Sequence, residues 1–382
     1  MRSAEVVIIG GGVIGASVAY HLAARGCRDV IVLERGARPG EGSTGRATGG
    51  FRAQYGTDIN VRLSLLSREK LRRFIDDTGV DPGYDPRGYL WLARTEAQLD
   101  ILRGAQDVQL AAGLVEASML DLRQIREVNP YIRLDGLAGA AFCPTDGYIR
   151  PLDILRGYLR GAQVRTSARV TGLRRRGSRI EAVQLADGSE IPAGAVVDAA
   201  GPWAGPVARL AGVDVPVAPL RRQVGSTVDT EVLPAAMPMT VWVEDAFHVR
   251  ARDGRVLLVW PTPGDPRDPE STAVEQDWLE QVREKAAERV PPLAGIPVDP
   301  ARSWAGLYEM SPDQHALLGR APECDNLYLC NGSSGHGVMH SPALGQLLAE
   351  IIVHGQSRSL DVEALRPSRF AEGRPNRAPQ IL

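Results

Sequence analysis

Apolar positions fall into two kinds of pattern along the chain. Val6-Val7-Ile8-Ile9 and Val30-Ile31-Val32-Leu33 are short unbroken runs, mostly β-branched, and predict strands buried on both faces. A helical stretch over 16–25 separates them. Two later runs, at 195–200 and 327–331, also read as buried strands, and each runs into glycine. Elsewhere shorter strand-like segments predict antiparallel sheet: 88–92, 137–142 and 164–173, and the pairs 180–185/190–191 and 247–252/255–260. Asp187-Gly188 and Asp253-Gly254 supply the two-residue turns of those pairs. Helical periodicity covers 58–77, with Ile59, Leu63, Leu66, Phe74 and Ile75 on its apolar side and a stop at Asp81-Pro82-Gly83. Further helices are predicted at 95–112 (capping box Thr95/Gln98), 121–128, 151–160, 202–211 and 272–290. A last one runs from Ser341-Pro342 to His354.

These elements predict an α/β chain: a Rossmann-like unit split over several segments, with an α+β, antiparallel-sheet part between them. The expected division is 1–80, 145–214 and 312–366 for the nucleotide-binding domain, 81–144 and 215–311 for the second domain, and a loose tail over 367–382.

The first buried run leads into candidate chemistry. Gly10, Gly12 and Gly15 give the G-x-G-x-x-G spacing between a strand and a helix. That spacing permits a tight turn, close approach of a pyrophosphate and close helix–strand packing, and the helix N-terminus presents free N–H groups to phosphate. Glu34, at the end of the next strand, can accept hydrogen bonds from a ribose 2′-OH, which favours FAD or NAD over NADP. The loop that follows, 35–50, is long and dense in glycine and hydroxyls, which suits a flat ligand held along its length and favours FAD. A second glycine-rich loop, 331–339, precedes the last helix. The N-terminus of that helix is a second anion site, able to stabilise charge developing at the N1–C2=O edge of a flavin.

Composition narrows the partners. At 382 residues the chain has room for two cores, and a net charge of −2 offers no global attraction for nucleic acid or an anionic membrane. Cys27, Cys143, Cys324 and Cys330 lack metal-ligand spacing and read as free thiols in a reducing cytoplasm, so no metal is expected. No apolar run approaches the ~20 residues of a membrane span.

Taken together, 6–34, 43–55, 198–203, 304–313 and 331–339 resemble the glycine oxidase, D-amino-acid oxidase and sarcosine oxidase family of FAD enzymes. The resemblance is closest to monomeric sarcosine oxidase and to the β subunits of sarcosine oxidase and dye-linked proline dehydrogenase. It implies oxidation of the C–N bond of a small amino or imino acid, sarcosine- or proline-like, by hydride transfer to flavin N5. Glycine or D-amino-acid oxidation, or a flavin-carrying subunit needing a partner chain, are the alternatives. The electron acceptor is O₂ or another molecule.

The resemblance places FAD phosphate and ribose at Gly10, Gly12, Val13, Ile14, Gly15 and Glu34, and the following loop contacts at Arg35, Ser43, Thr44, Gly45, Arg46, Thr48 and Gly49. Val170 falls on the strand beside the adenine. Ala200, Gly201 and Trp203 form a turn near the cofactor, and Gly306 falls at its ring. Gly332, Gly335, His336, Gly337, Val338 and Met339 line the pyrimidine edge. Arg52, allowing one inserted residue, matches the substrate-carboxylate position, and Tyr308 matches a pocket tyrosine. His248 is a further candidate for the pocket, with a structural role as the other reading. His315 and His340 read as structural, Arg174-Arg175-Arg176 as a solvated turn, and Trp260 and Trp304 as core or pocket.

Three positions depart from monomeric sarcosine oxidase. Its flavin-linking cysteine is replaced by Gly306, so FAD is expected to be noncovalent. Its oxygen-activating lysine is absent from 256–260, and Met339 replaces a second substrate-carboxylate lysine.

Overall fold

The computed structural model describes residues 3–377. Ala4–Ile9 and Val30–Leu33 pair in parallel, Val6 opposite Val30, and Ala4–Ile9 pairs in parallel with Glu190–Asp198, Val7 opposite Val196. Side chains alternate between faces along a strand. Val6, Ile8, Val30 and Val32 enter a core shared with helices Val13–Ala23, Asp58–Thr78, Pro151–Leu159 and Gly337–His354. Val7, Ile9, Ile31 and Leu33 enter another, shared with the hairpin Val170–Arg176/Arg179–Leu185. Burial on both faces is why these runs contain no polar residue.

The order across this sheet is Leu317–Arg320, Leu327–Asn331, Glu190–Asp198, Ala4–Ile9, Val30–Leu33, Gln163–Arg165. Only the first of these pairings is antiparallel. The result is an α/β fold that brings the glycine turn after Ile9, the turn after Asp198 and the loop after Asn331 to one end of the sheet, the carboxyl end where α/β sheets bind ligands.

A second sheet orders Trp304–Met310, Ala218–Ser226, Arg255–Val259, His248–Arg252, Met239–Trp242, Tyr89–Ala93, Gly139–Cys143, Ser118–Leu120. Helix Gln276–Arg289 covers one face, packing Trp278, Leu279 and Val282 with Leu90, Leu92, Val256 and Leu258. On the opposite face one lateral row reads Trp91, Val241, His248, Val259, Val224, Trp304, each residue in register with the next. Gly306 and Tyr308 continue that face along the edge strand by the two-residue period.

Several local expectations change. Helix Asp58–Thr78 ends at Gly79, left-handed at φ 72°, before 81–83 is reached, and Ile75 is 54% exposed. The run 164–173 divides into Gln163–Arg165 and Val170–Arg176, with Ser167 at φ 51° between them. The second strand of the 180–191 hairpin and the buried run after it are one strand, Glu190–Asp198. Arg174–Arg176 belong to a strand rather than a turn, and Arg174 pairs with Glu181 at 2.5 Å. Gln98 reaches the N–H of Arg94 rather than that of Thr95, so the full capping box forms at Asp121/Gln124 instead.

The last helix starts at Gly337, one turn before Ser341, and keeps Pro342 inside it. Proline cannot donate to the carbonyl four residues back. Ser341 Oγ donates to that carbonyl, Val338 O, at 2.9 Å, which lets the helix run through.

The tail is held where it is described. Arg369 is fully buried and its Nε and Nη2 donate to the two oxygens of Asp313 at 2.8 and 2.9 Å, while Asn376 N donates to the same carboxylate at 2.9 Å. The expected looseness after Pro367 therefore fails as far as Asn376, and 378–382 lie outside the described residues. Among the described residues no helix is long and apolar enough to cross a membrane, no His/Cys/Asp/Glu cluster is placed to hold a metal, and the four cysteines are free and buried.

Candidate functional site

The first glycine turn forms a cradle. Gly10 sits at φ 118°, where a Cβ would overlap the Ala199 carbonyl, and a Cβ on Gly15 would overlap the carbonyl of Gly10. Gly12 faces only Thr44 Oγ1, at 3.3 Å from the position of a Cβ. That hydroxyl accepts from Val13 N at 3.1 Å and ties the following loop to the helix N-terminus that Val13 and Ile14 open. Glu34 Oε2 accepts from Gly11 N at 3.0 Å and Oε1 from Gly36 N at 2.7 Å, so the carboxylate is fixed beside the turn. Ala168 N donates to Glu34 O and Ser167 N to Gly36 O, which brings the chain leading to Val170 alongside. The Arg35 guanidinium lies 3.7 Å from the Trp203 ring centroid, a cation–π contact across the gap.

The loop after Arg35 docks on the edge strand of the second sheet. Its short helix Ser43–Arg46 includes Gly45. Ser43 Oγ donates to Leu307 O at 2.6 Å, Arg46 Nη1 to Ala305 O at 2.7 Å, and Trp304 Nε1 to Arg46 O at 2.7 Å. Arg46 is thus committed to a backbone carbonyl, and Trp304 is a clamp on the loop. A Cβ on Gly306 would stand 3.1 Å from Arg46 Cβ. Thr48 O accepts from Arg250, and Gly49 is left-handed at φ 77°. Trp260 belongs to the helix-covered core. Lys285 reaches its ring from that side at 4.5 Å while bound to Asp245 at 2.9 Å, so it does not replace the missing hairpin lysine.

The loop after Asn331 closes the opposite side. Gly332 and Gly335 are left-handed at φ 72° and 94°, and a Cβ on Gly335 would lie 2.7 Å from the Tyr308 ring. His336 caps the helix that begins with Gly337, Val338 and Met339.

Here Arg52 converges on the two loops. Only 7% exposed, it donates from Nη1 to Gln54 O at 2.6 Å, and its Nη2 lies 3.2 Å from His336 Nε2. Its guanidinium lies over Tyr55 at 3.9 Å and Trp91 at 5.0 Å. Among the described residues no carboxylate forms an ion pair with it. Tyr55 Oη donates to Met339 Sδ at 3.0 Å, so the thioether serves as a weak acceptor.

Burial and the Arg52 charge keep the surrounding histidines neutral. His336 is held well below the usual imidazole range and His340 falls to about 3. His248, half-buried with Nδ1 2.9 Å from Ala246 O, is lowered by burial and by Arg52. A neutral His336 accepts the Arg52 hydrogen bond at Nε2, so its proton sits on Nδ1. His340 meets Ser64 Oγ at 2.8 Å, and His315 lies against Asp313 O and Thr57.

Three neighbours carry no motif that would single them out. Asp146 is fully buried, accepts from Ala53 N at 2.7 Å and from Gln54 Nε2 at 3.1 Å, and is raised to about 6 by burial. Arg250, 7% exposed over the Tyr148 ring, is lowered to about 10 by burial. Glu309 follows Tyr308, and its carboxyl stands between Gly201 and Gly337. Only the position of Glu309 inside 304–313 hinted at a role; the other two acquire their character through burial.

The site suits a flat dinucleotide cofactor. Gly10, Gly12, Ala200, Gly201, Gly306 and Gly337 are each only partly buried and carry little or no side chain, which leaves their backbone open to a ligand. A family model described as FAD dependent oxidoreductase (DAO) matches residues 5–351. FAD-dependent oxidoreductase domain-containing protein 1 of Bos taurus is 30% identical, over 97% of this chain and 85% of that protein. Mitochondrial sarcosine dehydrogenase of Mus musculus is 30% identical over 93% of this chain, which spans 40% of that longer protein. The crystal structure of L-proline dehydrogenase from P. horikoshii superposes with a TM-score of 0.90 at 27% identity, covering 98% of this chain and 100% of that one.

Proposed function

This chain belongs to the family of FAD-dependent oxidoreductases, and from that premise we propose that it oxidises the C–N bond of a small secondary amino or imino acid, sarcosine-like or proline-like. The observation that carries the reading is Arg52, a buried guanidinium with no acidic partner among the described residues, beside the loop 335–339. Buried charges are ordinarily paired, and a planar fork holds a carboxylate through two parallel hydrogen bonds. The substrate carboxylate is the missing partner.

Bound FAD supplies the acceptor for the hydride that leaves the substrate carbon. It is held, in this reading, by Gly10, Gly12, Glu34, Ser43–Arg46 and the loop from Gly335 to Met339. The work of the chain is positional. Arg52 fixes the carboxylate; Tyr308, Trp91 and His248 wall the space between it and the cofactor. Neutral His336 and the Gln54 carbonyl each take one Arg52 hydrogen bond, and the remaining N–H groups of the fork are left to the substrate. No residue is assigned as a base for the amine, which is taken to enter unprotonated.

The sarcosine and L-proline dehydrogenases that resemble this chain are named for secondary amino acids, which supports the substrate class. The site face of 256–260 carries no lysine, which favours an acceptor other than O₂, a partner chain among the options. Four free buried thiols fit a reducing compartment, and cytoplasmic residence is part of the proposal.

Anaerobic mixing of the purified yellow protein with sarcosine, proline, glycine, D-alanine and pyrrolidine tests the substrate class through loss of flavin absorbance. Fast bleaching by sarcosine or proline and only slow bleaching by pyrrolidine is expected. Bleaching by glycine or D-alanine alone would move the assignment to primary amino acids, and no bleaching by any amino acid would refute it.

A further inference from the structure

Glu309 is the last residue but one of the edge strand Trp304–Met310, next to Tyr308, and it is half-buried. Its Oε1 accepts from Ser333 N at 3.2 Å and lies 3.5 Å from where a Cβ on Gly337 would stand, while Oε2 lies 3.7 Å from a Cβ position on Gly201. These two glycines belong to different elements: Gly201 in the turn after Glu190–Asp198, Gly337 as the first residue of the 18-residue helix Gly337–His354. The carboxyl therefore stands at the N-terminal end of the helix, in the room assigned to the flavin pyrimidine edge. Among the described residues no arginine or lysine pairs with it.

The groups facing Glu309 are themselves acids. Asp198, at the end of its strand, is fully buried, with Oδ1 on Ala200 N at 3.0 Å and Oδ2 without a partner. The Cys330 thiol on Leu327–Asn331 is buried and pushed up by burial and by both carboxyls. On the neighbouring strand Arg222 lies 5.8 Å from the Tyr308 ring and is bound to Asp265 at 2.5 Å, and His336, at the helix cap, is engaged by Arg52. The helix end favours a negative charge, whereas burial without a cation opposes it. The balance raises the Glu309 carboxyl to about 7.

We propose that Glu309 is the proton-exchanging residue of the cofactor cavity, binding one proton from solvent when FAD is reduced and releasing it on reoxidation. When a neutral amine is oxidised, a C–H bond breaks and a C=N bond forms as an iminium. Two electrons and one proton pass to the cofactor as hydride, leaving one added negative charge. That charge raises the proton affinity of Glu309, which forms an O–H bond with a solvent proton, so two protons accompany two electrons. Reoxidation by the acceptor removes both electrons and frees both protons. The inference rests on FAD binding and not on the identity of the amine.

Holoenzyme is reduced by xanthine and xanthine oxidase against a reference dye between pH 6 and 9, and protons taken up per two electrons are read from the pH dependence of the midpoint potential. Wild type should rise from one proton below pH 7 to two above it. Glu309→Gln should stay at one throughout, and Glu309→Asp should keep a two-proton segment at a shifted pH. A wild-type count of one across the whole range, or a Glu309→Gln count matching wild type, overturns the proposal. The wild-type and Glu309→Asp curves decide it if the glutamine variant loses FAD. No amine is present, so failure here leaves the substrate assignment standing, and a failed substrate screen leaves this result standing.

Discussion

Replacing Asp146 by asparagine separates charge from shape at the residue that sets the Arg52 backbone. The buried carboxylate receives Ala53 N, Gln54 N and Gln54 Nε2, and Gln54 O in turn receives Arg52 Nη1 at 2.6 Å. Burial raises this carboxyl from 3.8 to about 6, which is ~3 kcal/mol against the ionised form. Because the folded value is the higher one, the stabilisation it gives is complete below the unfolded value of 3.8 and is lost as the pH rises through about 6. Asparagine removes that titration but turns an NH₂ toward the donors of Ala53 or Gln54, leaving one buried donor unsatisfied at a cost of ~1–3 kcal/mol. The two effects oppose each other, so near pH 7.5 the variant should lie within ~2 kcal/mol of wild type. At pH 4 wild type should be favoured by ~2.4 kcal/mol more than at pH 7.5. Denaturant titrations from pH 4 to 8 give the difference curve. A displaced Gln54 carbonyl also tilts Arg52, and KM for the amino acid should rise about tenfold, or ~1.4 kcal/mol, with FAD retained. A difference curve flat from pH 4 to 8 would show that Asp146 does not titrate as argued, and an unchanged KM would show that Arg52 is not positioned through Gln54.

Glu34→Ala should weaken FAD binding by ~1.5–3 kcal/mol, the loss of charge-assisted ribose hydrogen bonds, read by titrating apo-protein with FAD. An unchanged dissociation constant would remove Glu34 from the ribose. FAD should leave the protein on acid precipitation because Gly306 stands at the linkage position; a pellet that stays yellow would contradict this and direct attention to Cys324 and Cys330. Reduced enzyme should pass electrons to an artificial dye faster than to O₂, and stopped-flow reoxidation in air that keeps pace with turnover would make it an oxidase.

The nucleotide-binding core was readable because its physics is local. An apolar run buried on both faces, a glycine turn, a helix and an acid at the next strand end fix one another within 6–34, and Asp253-Gly254 fixes its hairpin in the same way. The start of the last helix departs from its sequence pattern for a tertiary reason: Pro342 looks like a first-turn proline, yet Ser341 Oγ serves the carbonyl that proline leaves free. The tail looked loose because the partner of Arg369 is Asp313, far away in sequence. Asp146 lies in an ordinary turn and Glu309 in an ordinary strand. What distinguishes them is the loss of water and of a counter-charge on folding, which no spacing of residues records. Arg52 is placed by the resemblance alone; that its charge stands without an acid is visible only once the chain is folded.

The central claim is that Arg52 reads the substrate carboxylate. Two charge-assisted hydrogen bonds are at stake, together ~3–5 kcal/mol, or about 10²–10⁴-fold in kcat/KM. The measurement compares Arg52→Met with wild type on proline and on pyrrolidine, following anaerobic flavin bleaching. Arg250→Met serves as control, because Arg250 is buried to the same 7% exposure and likewise has no acidic partner among the described residues. Arg52→Met should lose proline turnover by that factor while keeping FAD and leaving the slow pyrrolidine rate nearly unchanged. An equal fall for both compounds, or a selective loss that follows Arg250→Met instead, would contradict the account.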